Sequence, residues 1–187
     1  MTASTTLEPS MTTNGRNILN STDRLPESRH ILIHYDGSCS GNPGPGGHAA
    51  VLRRMDGDTE LIRKTVRGHE AGDTTNVRME MTVAAAALEA IKPGEAETIV
   101  MYGDNSLVTK GMTEWVPNWL RKDWKNSDGK SVANRDLWER LIAAATGKTV
   151  QWRWVKGHAG DRRNEEVDRL ARAEMQTARA ASFGFAA

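Results

Sequence analysis

Ile31-Leu32-Ile33-His34-Tyr35 is a β-rich run that ends at Asp36-Gly37. It is followed by Gly41-Asn42-Pro43-Gly44-Pro45-Gly46-Gly47, a composition that favours neither a helix nor a central strand. The pattern predicts a strand running into a rigid loop, with a carboxylate at the junction. Two further strands, 48–54 and 60–67, are predicted on either side of the turn sequence Asp56-Gly57-Asp58.

The rest of the chain alternates between helical and strand patterns. Helix formers fill 78–92, with Glu80 heading a stripe that continues at Ala84, Leu88 and Ile91 and ends before Pro93-Gly94. A strand is predicted at 98–102, followed by a helix through Lys110, a helix at 134–145, a strand at 149–154 and a last helix from Asn164 to about Arg179. The order βββαβαβα predicts an α/β fold with one mixed five-stranded sheet flanked by helices.

Composition limits the classes of protein that this chain can belong to. With 187 residues, one domain is expected, and a net charge of +1 means that any nucleic-acid contact depends on local basic patches. The single cysteine, Cys39, excludes an internal disulfide and fits a reducing, cytoplasmic setting. No membrane-length apolar run and no secretion signal is visible in the sequence. We expect a disordered extension at 1–29, a catalytic domain at 30–175 and a flexible tail at 176–187.

Four carboxylates stand at positions that suggest shared chemistry. Asp36 and Asp104 follow predicted strands, Glu80 heads a buried stripe, and Asp168 lies in the last helix. Singly they have simpler explanations: a turn aspartate, an N-cap, a helix-start acid and a solvated charge. Together they supply the oxygen ligands that two divalent ions need to clamp a phosphate. The predicted activity is that of a metal-dependent nuclease.

Other polar residues are candidates for proton transfer and substrate contact. His158, between Gly157 and Ala159-Gly160, could move a proton near neutral pH or be a loop histidine without a task. Asn164 could hydrogen-bond a phosphate oxygen or cap the last helix. Groove contacts to bases and 2′-hydroxyls, with turn formation as the alternative, are assigned to Asn42, Thr75 and Asn76.

A basic and aromatic segment follows the third carboxylate. We expect Trp115, Trp119 and Trp138 to pack in the core. The candidate contacts to nucleic-acid phosphates are Arg121, Lys122, Lys125 and Lys130.

These motifs resemble type 1 ribonuclease H of the bacterial kind over roughly residues 30–175. The matching segments are 35–47, Thr74-Thr75-Asn76-Val77-Arg78-Met79-Glu80-Met81, Gly103-Asp104-Asn105, Trp154-Val155-Lys156-Gly157-His158-Ala159-Gly160 and Asn164-Glu165-Glu166-Val167-Asp168. The resemblance implies the ribonuclease H-like fold and hydrolysis of the RNA strand of RNA–DNA hybrids, leaving 5′-phosphate and 3′-hydroxyl ends. It implies two Mg²⁺ ions, with Mn²⁺ as a substitute, on Asp36, Glu80, Asp104 and Asp168, with His158 assisting product departure. We expect a monomer with no membrane partner.

The chain departs from the family pattern at three places. Val77 stands where a second asparagine is usual, which implies one fewer groove contact. Gly103-Asp104-Asn105 replaces the usual Thr-Asp-Ser, which keeps the ligand and changes its surroundings. Residues 1–29 do not resemble the extra hybrid-binding module of some relatives.

The residues alone leave three other interpretations of the function open. An integrase, transposase or junction resolvase would also cluster carboxylates for two metals, although the glycine-rich loops argue against one. A non-catalytic hybrid-binding protein would not require all four carboxylates. A ribonuclease H domain belonging to a reverse transcriptase is the third.

Overall fold

The computed structural model describes residues 25–92 and 97–184. Its strands are β1 (Arg29–Cys39), β2 (Gly44–Asp56), β3 (Thr59–Thr74), β4 (Thr98–Gly103) and β5 (Val150–Trp154). Its helices are α1 (Asn76–Glu89), α2 (Ser106–Lys110), α3 (Val116–Arg121), α4 (Arg135–Ala145) and α5 (Arg162–Ser182), and a π-helical segment, Gly111–Trp115, joins α2 to α3. This order confirms the predicted mixed α/β fold, with extra helical turns between β4 and β5.

The five strands form one sheet in the order β3-β2-β1-β4-β5. β1, β2 and β3 pair antiparallel, whereas β4 pairs parallel with β1 and with β5. Since β1 and β4 are parallel neighbours, their carboxyl ends meet at the same edge of the sheet. Asp36 and the residues after Gly103 are thereby brought together.

Alternating side chains of β1 supply the two faces of the core. Ile31, Ile33 and Tyr35 pack with buried residues of α1 and α4. Leu32 faces the other way, where it packs with Met55 and Val100. Both sides of β1 are therefore buried, which explains its continuous apolar sequence.

The prediction that the glycine-rich segment lies outside a central strand is wrong for residues 44–47. These residues open β2, which lies between β1 and β3. A side chain on Gly47 would overlap the backbone of Met175 in α5, so glycine is needed here for close packing of the helix. Pro45 lies at a register shift between β2 and β3, where a missing N–H donor is tolerated.

Several predicted boundaries also move. α1 begins at Asn76 because the Thr75 hydroxyl accepts a hydrogen bond from the Arg78 N–H. α5 continues to Ser182, so 176–182 are helical where we expected a flexible tail.

At the other end of the chain, Leu25 packs against the sheet and Arg29 begins β1, although both were assigned to the disordered extension. The rest of that prediction, residues 1–24, lies outside the described residues, as do Pro93-Gly94 and 185–187. Among the residues that the structure describes, no helix has the length and apolar character needed to cross a membrane.

Candidate metal centre and nucleic-acid interface

Three of the four predicted carboxylates meet at the edge of the sheet. Asp36 lies in β1, Glu80 in α1 and Asp104 directly after β4, and each offers an oxygen within 4.8 Å of the others. Asp36 is 5% exposed and Glu80 is 2% exposed, so neither charge is solvated by bulk water. Three acidic groups in such a space repel one another unless a cation or protons lie between them.

Two glycines permit this close approach. A Cβ on Gly37 would lie 2.6 Å from the backbone nitrogen of Glu80 and 2.8 Å from its Cγ. A Cβ on Gly157 would lie 2.7 Å from Oδ2 of Asp104. The loop after β5 therefore touches Asp104 through a residue without a side chain.

Asp168 lies at the rim of this group, on α5. Its Oδ1 accepts a 2.8 Å hydrogen bond from Nε of Arg172, one helical turn later. It is also near Asp36, since its charge and a hydrogen bond both raise the pKa of Asp36. Asp168 is 20% exposed and has its own counter-ion, which distinguishes it from the buried pair.

The electrostatics of the cluster favour a bound cation. Burial raises the pKa of Asp36 to about 8, with further contributions from Asp104 and Asp168, against a lowering by the Gly37 N–H. Burial likewise raises the pKa of Glu80 well above its ordinary value, followed by the charges of Asp36 and Asp104. Oε2 of Glu80 is buried and has no hydrogen-bond partner among the described residues. An all-oxygen donor set with an unpartnered buried oxygen fits a hard divalent ion.

Amide side chains orient the carboxylates. Nδ2 of Asn76 donates to Oε1 of Glu80 at 3.3 Å, and Nδ2 of Asn164 donates to Oδ2 of Asp104 at 3.4 Å. Asn164 is buried inside α5, and the cap of this helix is Asp161, which accepts from the N–H groups of residues 163 and 164. The capping alternative for Asn164 is therefore wrong.

The predicted role of Asn164 as a phosphate contact stays untested. Its Oδ1 has no hydrogen-bond partner in the part of the chain that the structure describes.

Asn105 has a role that the sequence did not reveal. Its Oδ1 accepts from the Leu107 N–H at 3.0 Å and caps α2, so Asp104 is not the N-cap. The Asn105 side chain also lies near Glu80, where it lowers the pKa of that carboxyl group. The preference of asparagine for N-cap positions after a strand was the available signal.

The predicted groove-contacting residues lie together at the start of α1. Oδ1 of Asn42 accepts from the Asn76 N–H at 3.3 Å, which joins the glycine-rich loop to the helix. Thr75 caps the helix as described above. Val77 is half-buried and packs against the core. The capping and loop-joining contacts are thus real, and contact with a nucleic acid stays a prediction.

His158 is exposed in the loop between β5 and α5 and has a positive φ of 53°. It neighbours Gly157, which contacts Asp104. His158 is therefore one residue from a glycine that packs against Asp104, and its side chain is exposed to solvent.

The basic and aromatic segment forms a cavity of about 410 Å³ on the surface. Its lining combines aromatic faces, lysines and small polar groups: Trp115, Asn118, Trp119, Lys122, Lys125, Asn126 and Ser127. Lys130 lines a neighbouring cavity of about 310 Å³. Arg121 is exposed and hydrogen-bonds Asn118, outside the lining of either cavity.

The tryptophans of this segment hold one another in place. The ring centroid of Trp119 lies 5.8 Å from that of Trp115, 6.3 Å from that of Trp124 and 5.3 Å from that of Trp138. Trp138 and Trp124 are buried, as predicted for Trp138, whereas Trp115 and Trp119 are half-buried and open to the cavity. A rigid aromatic surface between cations suits a nucleic-acid backbone.

Comparison with known proteins gives a consistent result. The family model described as RNase H matches residues 28–176. Ribonuclease H of Jannaschia sp. (strain CCS1) is 49% identical over 145 residues, covering 78% of this chain and 90% of the relative. Ribonuclease H of Xanthomonas campestris pv. campestris (strain 8004) is 50% identical over 144 residues, covering 77% and 91%. The crystal structure of LC9-RNase H1, described as a type 1 RNase H with the type 2 active-site motif, matches with a TM-score of 0.71 and 32% identity, covering 82% of this chain and 75% of that one.

Proposed function

The chain belongs to the RNase H family and is a hydrolase that cleaves the RNA strand of RNA–DNA hybrids, and we propose that it does so with two divalent metal ions held by Asp36, Glu80, Asp104 and Asp168. The observation that carries the proposal is the meeting of three carboxylate oxygens within 4.8 Å, two of them on buried side chains. Without a cation, the raised pKa values of Asp36 and Glu80 favour the protonated forms of these two carboxyl groups.

Mg²⁺, or Mn²⁺ in its place, would supply an activated water and would stabilise the leaving oxygen of the scissile phosphate. With the ions bound, Asp36 and Glu80 would provide negative charge in a buried part of the site. Asn76 orients Glu80, and Asn164 orients Asp104. Such contacts to ligands set both their direction and their basicity.

His158 is proposed to transfer a proton to the departing product. Its support is the exposed loop that joins it to Gly157, against which Asp104 packs. The two ring nitrogens of an imidazole can accept and donate protons, so this side chain can both take and return one. The products would be 5′-phosphate and 3′-hydroxyl ends.

Hybrid binding is proposed to use two surfaces. Asn42, Thr75 and Asn76, next to Glu80, would contact the groove, where 2′-hydroxyls distinguish RNA from DNA. Lys122, Lys125 and Lys130, with Arg121 at the margin, would contact phosphates beside the tryptophans. A monomeric state and a cytoplasmic location stay predictions, the second supported by the single cysteine.

Cleavage of one end-labelled RNA strand tests the proposal. The strand is presented as a DNA hybrid, as an RNA duplex and alone, each with Mg²⁺, with Mn²⁺ and with a chelator. We expect cutting of the hybrid only, and only with metal. Tight hybrid binding without cutting would show a non-catalytic binding protein and would contradict the proposed mechanism.

A further inference from the structure

Tyr35 is a large aromatic residue directly beside the metal-centre carboxylates, and the proposed mechanism gives it no role. It is fully buried in β1, immediately before Asp36. Gly103 holds the matching place in β4, immediately before Asp104. The two strands pair in parallel register up to His34 and Tyr102, so Tyr35 and Gly103 are one residue beyond the last pair.

The side chain of Tyr35 fills the space above Gly103. A Cβ on Gly103 would lie 2.6 Å from the tyrosine hydroxyl oxygen and 2.7 Å from ring atom Cε2, and closer still to Cζ. Contacts under 3.0 Å require atoms to move, and both partners here are buried. Residue 103 must therefore lack a side chain as long as residue 35 is tyrosine.

The environment of the hydroxyl ties this pair to the metal centre. Burial is the main cause of the raised pKa of Tyr35, the charges of Glu80, Asp104 and Asp36 raise it further, and the nearby Thr109 side chain lowers it. Neither the Tyr35 nor the Thr109 hydroxyl meets ordinary hydrogen-bond geometry with a partner in the described chain. The ring is therefore held by packing, which includes its contact with Gly103, and not by a hydrogen bond of its hydroxyl.

We propose that Tyr35 is a positioning residue of the metal centre, which sets the separation of Asp36 and Asp104 by packing its ring on the bare Cα of Gly103. The inference rests on the proposed function, because it assumes that these carboxylates bind metal. Each member of the contact immediately precedes one ligand, so a shift of either strand end is passed directly to a carboxylate. Mutation of the outer-shell partners of metal ligands typically lowers metal affinity by about 10–100-fold, and we expect an effect of this size here.

A double-mutant cycle with calorimetric Mn²⁺ binding tests the inference. Gly103→Ala in the presence of Tyr35 should weaken Mn²⁺ binding by about 10-fold or more. The same substitution in a Tyr35→Val background should weaken it by less than about 3-fold, because the collision is removed. Tyr35→Phe, which keeps the ring, should bind Mn²⁺ with nearly wild-type affinity.

Gly111→Ala is the matched control. Its Cβ would overlap the ring of Trp138, with Cζ2 at 2.9 Å, so it is an equally crowded glycine facing a different aromatic residue. We expect it to lower the melting temperature without changing Mn²⁺ affinity. Circular dichroism of every variant identifies any that does not fold, and Tyr35→Phe tests the ring independently of Gly103→Ala.

The outcomes separate this inference from the proposed function. Equal effects of Gly103→Ala in both backgrounds, or a large loss of affinity in Tyr35→Phe, would overturn the role of the ring while leaving the metal site in place. No Mn²⁺ binding by the wild-type protein would overturn the metal site and the inference together. Hybrid cleavage by the wild-type protein, measured in parallel, reports on the activity alone.

Discussion

Nε of Arg172 donates a 2.8 Å hydrogen bond to Oδ1 of Asp168, one turn apart on α5. The fourth carboxylate thus has a cationic partner from its own helix. Asp36, by contrast, accepts a hydrogen bond from the Gly37 N–H, and the negative charges of Asp104 and Asp168 raise its pKa. The buried carboxylates therefore depend on a metal ion to balance their charge, whereas the charge of Asp168 is already balanced by Arg172. The four carboxylates should differ in their importance for metal binding.

Asp36→Asn should lower single-turnover cleavage of the hybrid by about 100-fold or more, because it removes charge from the buried interior of the site. Hybrid affinity should hardly change, since the shape of the binding surface stays the same. Asp168→Asn should lower the cleavage rate by less, about 10-fold, because the charge of Asp168 is already balanced by Arg172. Asp56→Asn, in the turn region and ion-paired with Arg29, is the control. A wild-type cleavage rate in Asp36→Asn would refute the assigned site.

Gly157→Ala should slow cleavage by about 10–100-fold, because the added methyl group would lie 2.7 Å from Oδ2 of Asp104 and must displace this ligand. Gly72→Ala is the matched control, since a Cβ there meets nothing within 4 Å. Both variants are assayed on the same hybrid with saturating Mg²⁺. Equal rates for the two variants would mean that Asp104 tolerates the displacement.

Much of the fold could be predicted because its signals are local. The continuous apolar run of β1 and the helical spacing of the stripe headed by Glu80 are both visible in the sequence, and the residues of both are buried in the structure. Placement of Asp36 and Asp104 at one edge of the sheet needed only the parallel pairing of β1 with β4. Family resemblance then supplied the chemistry.

The remaining features depend on contacts between residues far apart in sequence. Gly47 looks like a loop residue, and its place in a central strand follows from the approach of α5. Asn164 resembles a helix cap in sequence, whereas its side chain reaches Asp104 across 60 positions. The fit of Tyr35 to Gly103 likewise exists only once β1 and β4 are paired. Local propensity carries no information about such contacts.

The free energy of unfolding of the metal-free protein should fall as the pH rises from about 6.5 to about 8.5. The pKa of Asp36 is raised to about 8 in the folded protein, so the folded state holds a proton that the unfolded chain, with an ordinary carboxyl, releases well below this pH. The contribution of Asp36 to stability is therefore highest below about pH 4, declines from there to about pH 8, and levels off above this pH. Asp36→Asn should flatten the decline, and Mg²⁺ should raise the melting temperature of the wild type at the upper pH by several degrees.

Thermal melts in chelator and in Mg²⁺, for the wild type, Asp36→Asn and Asp56→Asn, measure this effect. Asp56→Asn should follow the wild type, since Asp56 is in an exposed ion pair away from the cluster. An identical pH dependence in all three proteins would show that Asp36 does not carry a raised pKa.

His34 should destabilise the protein in acid. It is buried, stacks on Tyr102 with ring centroids 5.0 Å apart, and has a pKa lowered to about 4. Burial is the main cause, Arg53 and Arg163 lower the value further, and Asp161 opposes them. His34 takes up a proton at about pH 6.5 in the unfolded chain and only at about pH 4 in the folded protein. Its contribution to the free energy of unfolding therefore falls by up to about 3 kcal/mol between these two pH values.

His34→Phe keeps the ring stacking and removes the titration. Urea unfolding at about pH 7 and about pH 5 should show that the variant becomes more stable relative to the wild type at the lower pH. Ile33→Val, its buried neighbour in β1, should cost the same free energy at both pH values. The prediction fails if His34→Phe and the wild type lose the same free energy on acidification.

The lysines beside the tryptophans should contribute affinity for the hybrid and little to the chemical step. Lys122 and Lys125 line the same cavity as Trp115 and Trp119, in a geometry suited to backbone phosphates. Each alanine substitution that removes a lysine–phosphate interaction should make the slope of log affinity against log salt shallower by about 0.9. Fluorescence anisotropy with a non-cleavable hybrid in chelator gives the slopes, and single-turnover rates at saturating enzyme should stay near the wild-type value. Lys64→Ala, on β3 in a separate groove, is the control and should leave the slope unchanged. If Lys122→Ala/Lys125→Ala keeps the full salt slope, the hybrid does not lie along this cavity, and the tryptophans there serve packing alone.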